Sequence, residues 1–407
     1  MSVAVRPRSV LIIVQNLPVP LDRRVWLECR ALVDRGYQVS VICPKGPGDG
    51  NFELVDGVRL HKYYPAPRAT GLIGYLLEFG YCWLRAALLS LRVKRTAGFD
   101  VIQACNPPDT YWALALLFRP LGVRFVYDQH DLNPEVYASR FGRRSGLLYR
   151  GLLLLERCTY VLADHVVSTN DSYRHVALTR GRKRPDQVTV VVSGPDASAM
   201  RRGPERPQLR QGRRHLCCWL GIMGPQDGVD LVLHATRHLV DELGRRDVQI
   251  ALLGFGDCLA GLRRLARDLE VEEYVTFTGR AGPRLIADYL STAAVGITPD
   301  PSNPLNDVST MNKTMEYMAF GLPVVASDLK EARVTAGDAA VYVPPGDPGA
   351  LGDEIARLLD DPDRRAAMGR LGRRRIEEEL AWEHQAPAYV SVFERVIGPP
   401  LPPRPGG

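Results

Sequence analysis

Residues 9–15, Ser-Val-Leu-Ile-Ile-Val-Gln, form an unbroken apolar run with no alternation. A strand covered on both faces has this form, and such strands belong to parallel sheets flanked by helices. A loop over residues 16–20 leads to Asp22-Arg23-Arg24 and then to apolar positions at helical spacing, Val25, Trp26, Cys29, Leu32 and Val33. Gly36 ends that helix and residues 39–43 form the next strand. Strand, helix and strand with short links make a βαβ unit, which restricts the domain to a doubly wound α/β fold with ligands at the carboxyl ends of the strands. Further strands are expected at residues 100–105, 124–128, 165–170 and 187–192.

The same grammar restarts at residue 215. Residues 215–220 read as a strand, 221–228 as a glycine-bearing loop that includes Gly224, and 229–243 as a helix. Strands follow at 248–253, ending in Gly254-Phe255-Gly256-Asp257, at 274–278, ending in Gly279-Arg280, and at 295–298. Between the halves, residues 197–214 carry Arg201, Arg202, Arg206, Arg210, Arg213 and Arg214 with Pro204 and Pro207, a basic linker. No aromatic stacking residues are interleaved with it, so no nucleic-acid partner is expected. The expected domains are 1–196 and 215–380, two doubly wound Rossmann-like domains facing across a cleft. Helix 381–397 follows, and the Gly/Pro-rich tail 398–407 is expected to be disordered.

A chain of 407 residues suits two such cores. The excess of 52 Lys+Arg over 46 Asp+Glu is mild, so local basic faces matter more than the total. Eight cysteines are scattered without metal spacing and read as buried thiols in a reducing cytoplasm. The first 14 residues are too short an apolar start for a signal peptide. Residues 70–95 are the most apolar segment, but Glu78 and Arg85 interrupt any span of about 20 apolar residues. This segment, and residues 140–155 with Arg140, Arg143, Arg144 and Arg150 leading into four leucines, either cover the sheet or dock at the inner face of a membrane.

The stretch 303–328 combines polar turn formers, a short helix from Lys313 to Phe320, Gly321 and Pro323 as stops, and a β-branched strand. A loop delivering into a helix N-terminus suits a phosphate. Lys313 sits in the first turn, where the dipole disfavours a cation, and Glu316 follows on the same face. Two readings are open: a nucleotide-sugar site, or an ordinary αβ unit with a surface ion pair of Lys313 and Glu316. In the first half, residues 127–135 place four ionisable groups at a strand end, with His130 between Asp128 and Asp131. A sugar-binding or proton-handling histidine and a structural one are both open.

Residues 316–328, Glu-Tyr-Met-Ala-Phe-Gly-Leu-Pro-Val-Val-Ala-Ser-Asp, resemble the donor-site signature of the retaining glycosyltransferases of family 4, which have GT-B architecture. Asp22-Arg23-Arg24-Val25-Trp26, His130-Asp131 and Val192-Ser193-Gly194-Pro195-Asp196 resemble the branch that builds bacterial surface and exopolysaccharides on lipid carriers. The resemblance implies a nucleoside diphosphate sugar donor and a saccharide acceptor, lipid-linked in that branch, with no cofactor; no metal is expected, because the sequence shows no Asp-x-Asp ligand pair at a strand end and no His/Cys cluster. On the donor side it implies Ser309, Thr310 and Met311 at the diphosphate, Glu316 on the ribose and Gly254 and Gly256 near the base, and the residues themselves add Gly224, Asn312, Lys313 and Arg280. On the acceptor side Asn16, Asp22 and Arg23 at one strand end and Asp131 and Glu135 at another are expected, His130, Lys313 and Glu316 are the expected catalytic residues, and the resemblance has the last helix crossing back to the first domain. Three positions depart from the family pattern: Val308 replaces an acidic residue, and Ile222 and Asp227 replace the Arg and Lys that meet the diphosphate. Lys313 is the nearest substitute. Two rival functions share this architecture, a nucleotide-sugar epimerase and a degenerate domain that binds nucleotide or glycan without turnover.

Overall fold

The computed structural model describes residues 7–66, 71–142 and 144–400, with Leu72, Ile73, Tyr75 and Leu76 described through their backbone alone. The chain divides into two compact units. The first holds residues 1–138, 143–192 and 385–407; the second holds 139–142 and 193–384.

The first unit is built on an eight-stranded sheet: β1 (Ser9–Ile13), β2 (Gln38–Pro44), β3 (Phe52–Val55), β4 (Val58–Tyr63), β5 (Val101–Cys105), β6 (Arg124–Gln129), β7 (His165–Ser168) and β8 (Val188–Val190). Their order is β3-β4-β2-β1-β5-β6-β7-β8, parallel except for the β3/β4 pair. The order reverses between β1 and β5. The helix Arg23–Arg35 is capped by Asp22, whose side chain accepts from the Val25 amide, and closed by Gly36 in the left-handed conformation. One face of the sheet buries Leu11, Ile13, Ile102, Phe125, Tyr127 and Val166 in a common core.

Strands β3 and β4 are not anticipated in the sequence reading. They form a hairpin around Asp56 and Gly57, whose φ values are 47° and 80°. An Asp-Gly pair supplies two positive-φ positions in succession, as a two-residue hairpin turn requires.

The second unit has a wholly parallel six-stranded sheet: β9 (His215–Ile222), β10 (Val248–Phe255), β11 (Val275–Gly279), β12 (Val295–Thr298), β13 (Val324–Ser327) and β14 (Ala340–Val343). The order is β11-β10-β9-β12-β13-β14, reversing between β9 and β12. Trp219, Leu233, Leu252, Ile297, Val325 and Leu358 lie in its core.

The expected linker is not a free tether. Arg202 Nε donates to Ser291 O at 3.2 Å and the Arg206 amide donates to Thr292 Oγ1 at 2.8 Å, which binds the segment to the second unit. A π-helical turn, Ile376–Leu380, precedes the last helix, Trp382–Ile397. From Gln385 onward that helix belongs to the first unit, where Tyr389 Oη donates to Gln103 Oε1 at 2.6 Å and Tyr37 Oη donates to Gly398 O at 2.9 Å. Residues 401–407 of the expected tail lie outside the described residues, as do Arg143 and the approach to the apolar helix Gly71–Thr96. No helix of the described residues is long and apolar enough to cross a membrane. All eight cysteines are free; six are buried, as expected, whereas Cys158 and Cys258 are half-buried.

Candidate active site

In the second unit the site residues gather at the carboxyl ends of β9 and β12, where the strand order reverses. Such a switch point opens a crevice for ligands in doubly wound sheets. The loops after the two strands are tied together: Asn306 Nδ2 donates to Gln226 O and to Pro301 O, both at 2.8 Å. Gly228 lies at φ 62°, and a Cβ there would strike Pro299 O, so the two loops can approach this closely only with glycine.

The helix Asn312–Ala319 starts at this point, with Met311 at its N-cap and Asn312 exposed. Lys313 is 8% exposed and Glu316 5% exposed, so neither belongs to a surface ion pair. The Lys313 ammonium stands 2.7 Å from Asp300 Oδ1, 3.7 Å from Asp227 Oδ1 and 5.1 Å from the centre of the Trp219 ring. Two carboxylates therefore share one cation. Burial, with Asp300 adding to it, holds the Asp227 carboxyl above its usual range despite the opposing pull of Lys313. Ile222, the other departure from the family pattern, is exposed at the end of β9.

Ser309 Oγ donates to Leu305 O at 2.8 Å and packs the loop onto itself, with Thr310 and Met311 half-buried beside it. The Arg280 guanidinium lies 3.9 Å from the centre of the Phe255 ring. Gly254 and Gly256 have a packing reason of their own: a Cβ would strike Gly221 O at the first and Met223 O at the second. Gly224 donates its amide to Asp227 Oδ2 at 3.1 Å.

In the first unit the reading placed Arg23 at the site, but Arg23 is exposed and the inward residue is Arg24. Arg24 Nη2 donates to Asp128 Oδ1 at 3.0 Å, Nη1 donates to Val191 O at 3.0 Å, and Nε pairs with Glu28 Oε1 at 3.0 Å. Gln103 Nε2 donates to Glu28 Oε2 at 2.8 Å and to Asp128 Oδ2 at 2.9 Å. His130 Nε2 lies 2.7 Å from Asp128 Oδ2. The Asp131 backbone is fastened by Asn106, whose Nδ2 donates to Asp131 O at 2.7 Å.

These contacts set the charges. Burial opposes ionisation of Asp128, but Arg24 and then His130 outweigh it and hold the carboxyl well below its usual range. Burial opposes protonation of His130, but Asp128 outweighs it and raises the imidazole. Burial first, then Asp128, pushes Glu28 upward. The network is thus a buried guanidinium shared by Glu28 and Asp128, with the imidazole on Asp128.

Glu28, Cys105, Asp128 and His130 present potential metal ligands within 4.8 Å of one another, a His/Cys cluster that sequence spacing does not reveal. The donor set does not fit a metal: the Arg24 guanidinium already pairs with both carboxylates, and burial, then Asp128, keeps the Cys105 thiol well above its usual range.

The remaining acceptor-side residues are dispersed. Asn16 is exposed beyond β1, and Asp22 serves as the helix cap. Glu135 is paired with Arg180 at 2.6 Å, alongside Glu156 on the same guanidinium.

Two parallel α/β sheets, each with a switch point, define a two-domain protein of GT-B fold. A family model described as "Glycosyl transferase 4-like domain" matches residues 21–194, and one described as "Glycosyl transferases group 1" matches residues 214–361. Together the two models span most of the chain, and with the fold they support a GT-B glycosyltransferase of the family 4 type. It is similar to the D-inositol 3-phosphate glycosyltransferase of Gordonia bronchialis, with 26% identity over 249 residues, 58% of this chain and 53% of that protein. The match therefore spans about half the length of that relative. It is also similar to the D-inositol 3-phosphate glycosyltransferase of Kineococcus radiotolerans, with 26% identity over 90% of this chain and 88% of that protein. Among solved structures, sucrose-phosphate synthase from Thermosynechococcus elongatus shares the fold with a TM-score of 0.79 and 19% identity, covering 96% of this chain and 99% of the other. Anabaena HepE in complex with UDP-glucose shares it with a TM-score of 0.68 and 14% identity, covering 95% and 98%.

Proposed function

We propose that the protein transfers a sugar from a nucleoside diphosphate sugar to a hydroxyl of a saccharide acceptor, lipid-linked and destined for a bacterial surface polysaccharide, with retention at the anomeric carbon. The observation that carries this reading is the buried lysine at the start of the helix Asn312–Ala319, at the β9/β12 switch point. As the diphosphate leaves, negative charge grows on it, and Lys313 with the helix amides is placed to stabilise that charge without a metal. Asp227 competes for the same ammonium. Because its carboxyl is already raised, a diphosphate alongside would favour its protonation and free Lys313 for the donor. Glu316 takes the ribose hydroxyls. His130, anchored through Nε2, presents the rest of its ring on the acceptor half.

The test is a panel of UDP-, GDP- and dTDP-sugars incubated with the purified chain, reading nucleoside diphosphate release. Release that disappears in Lys313→Ala and Glu316→Ala supports transfer. A second reading, binding without turnover, has one observation in its favour: two carboxylates on one ammonium make a poor diphosphate site. Donor binding with no turnover of any donor would select it.

A further inference from the structure

At the opposite end of the second sheet lies a cavity of about 390 Å³, within the size range of small-ligand pockets. Its walls come from the amino ends of β9, β12 and β13, through His215, Ala294 and Pro323, and from the arginine-bearing segment before β9. The donor-side loops leave the carboxyl ends of the same strands, so this is a separate place in the fold.

Arg202, Arg210, Arg214 and Arg365 line the cavity, and Glu205 is the one carboxylate among its lining residues. Glu205 pairs with both Arg202 and Arg210. Arg365 Nη1 donates to Leu358 O and Leu359 O at 2.5 and 2.6 Å and makes no carboxylate pair among the described residues. Arg214 is exposed and makes no hydrogen bond or ion pair among the described residues. Arg210 Nε is buried without a hydrogen-bond partner. The cavity thus concentrates cations that the protein does not neutralise, and a guanidinium left without a carboxylate favours phosphate oxygens. His215 registers the same field: burial first, then Arg214, Arg365 and Arg245, hold its imidazole below the usual range against Asp247.

We infer that this cavity is a second ligand site, for a small phosphate-bearing anion with two or more negative charges, such as a pyrophosphate or a sugar phosphate. It is independent of the donor site and of the proposed transfer. An oxyanion held between Arg214 and Arg365 would supply the counter-charge they lack, while Glu205 keeps Arg202 and Arg210 oriented.

The test is calorimetric titration of the full chain at low salt with pyrophosphate, inorganic phosphate and glucose 1-phosphate. Arg214→Glu, at an exposed position with no hydrogen bond or ion pair to lose among the described residues, and Arg365→Gln are each expected to weaken pyrophosphate binding at least about tenfold. Arg201→Glu, an exposed arginine outside the cavity, is expected to leave it within about twofold. Pyrophosphate bound at the donor site would be indifferent to Arg214→Glu, so a loss in that variant reads this cavity alone. Failure of every probe to bind, wild-type affinity in Arg214→Glu, or equal loss in Arg201→Glu would overturn the assignment.

Discussion

The Lys313 ammonium and the Asp300 carboxylate stand 2.7 Å apart with both side chains buried, so the cation proposed to meet the donor diphosphate is already engaged by the protein. A buried pair of this kind makes single and double substitutions behave differently. Lys313→Met leaves Asp300 charged and uncompensated and is expected to cost about 3–5 kcal/mol of stability. Lys313→Met with Asp300→Asn removes both charges and should recover most of that loss. Urea denaturation of the three proteins measures it, and a double variant no more stable than Lys313→Met would contradict the pairing.

In the proposed site Asp227 opposes the donor, because it stands 3.7 Å from the Lys313 ammonium. Replacing it with Asn removes one negative charge beside Lys313 while keeping the shape and the acceptor for the Gly224 amide. A charge at this range in a half-buried site is worth about 1–2 kcal/mol, so Asp227→Asn should tighten donor binding about tenfold. Titration of the selected donor into both proteins reads this directly. Weaker binding in the variant would show that Asp227 itself contacts the ligand.

The Arg24 network predicts a pH dependence. Glu28 is raised above its unfolded value, so between the ordinary carboxylate range and its raised value the native state holds a proton that the unfolded state has released. Its contribution to stability is therefore present at low pH and lost as pH rises through the raised value. His130, also raised, loses its contribution in the same direction, whereas the lowered Asp128 loses its contribution only as pH falls through its depressed value. Glu28→Gln keeps an acceptor for Gln103 and removes the titration. The decline in urea midpoint from about pH 5 to about pH 8 should be shallower in Glu28→Gln than in the wild type. An identical slope would show that Glu28 is ionised throughout.

Much of this was legible in residue order. Unbroken apolar runs announced β1, β2, β9, β10, β12 and β13 because a strand covered on both faces has no polar side to display. The hairpin β3/β4 went unread although Asp56-Gly57 is its signature, because its strands alternate and carry exposed Phe52 and Leu54. Sequence alone does not tell Arg23 from Arg24, because adjacency hides direction on a helix. The signal lay in Glu28, four residues after Arg24, buried between Val25 and Leu32 on the inward face. The partners of Lys313 could not be read at all: Asp227 and Asp300 come from the loops after two strands that become neighbours only through a crossover.

The helix Gly71–Thr96 exposes Leu77, Leu84, Leu88 and Leu91 along one side, with Arg92 and Arg95 exposed at its end. Apolar rows ending in cations suit an anionic lipid surface. Co-flotation with anionic liposomes at low salt is expected for the wild type and lost in Leu84→Glu with Leu88→Glu, while circular dichroism stays unchanged. A wild-type protein that stays at the bottom of the gradient would remove membrane docking from the account.

The most direct test of the central proposal follows the sugar itself. With the donor chosen from the panel and a lipid-linked saccharide fraction as acceptor, proton NMR of the product should show the same anomeric configuration as the donor. Nucleoside diphosphate should be released in step with the product, and at least about tenfold more slowly in Glu316→Gln. An inverted linkage, or no acceptor-dependent release from any donor, would contradict it.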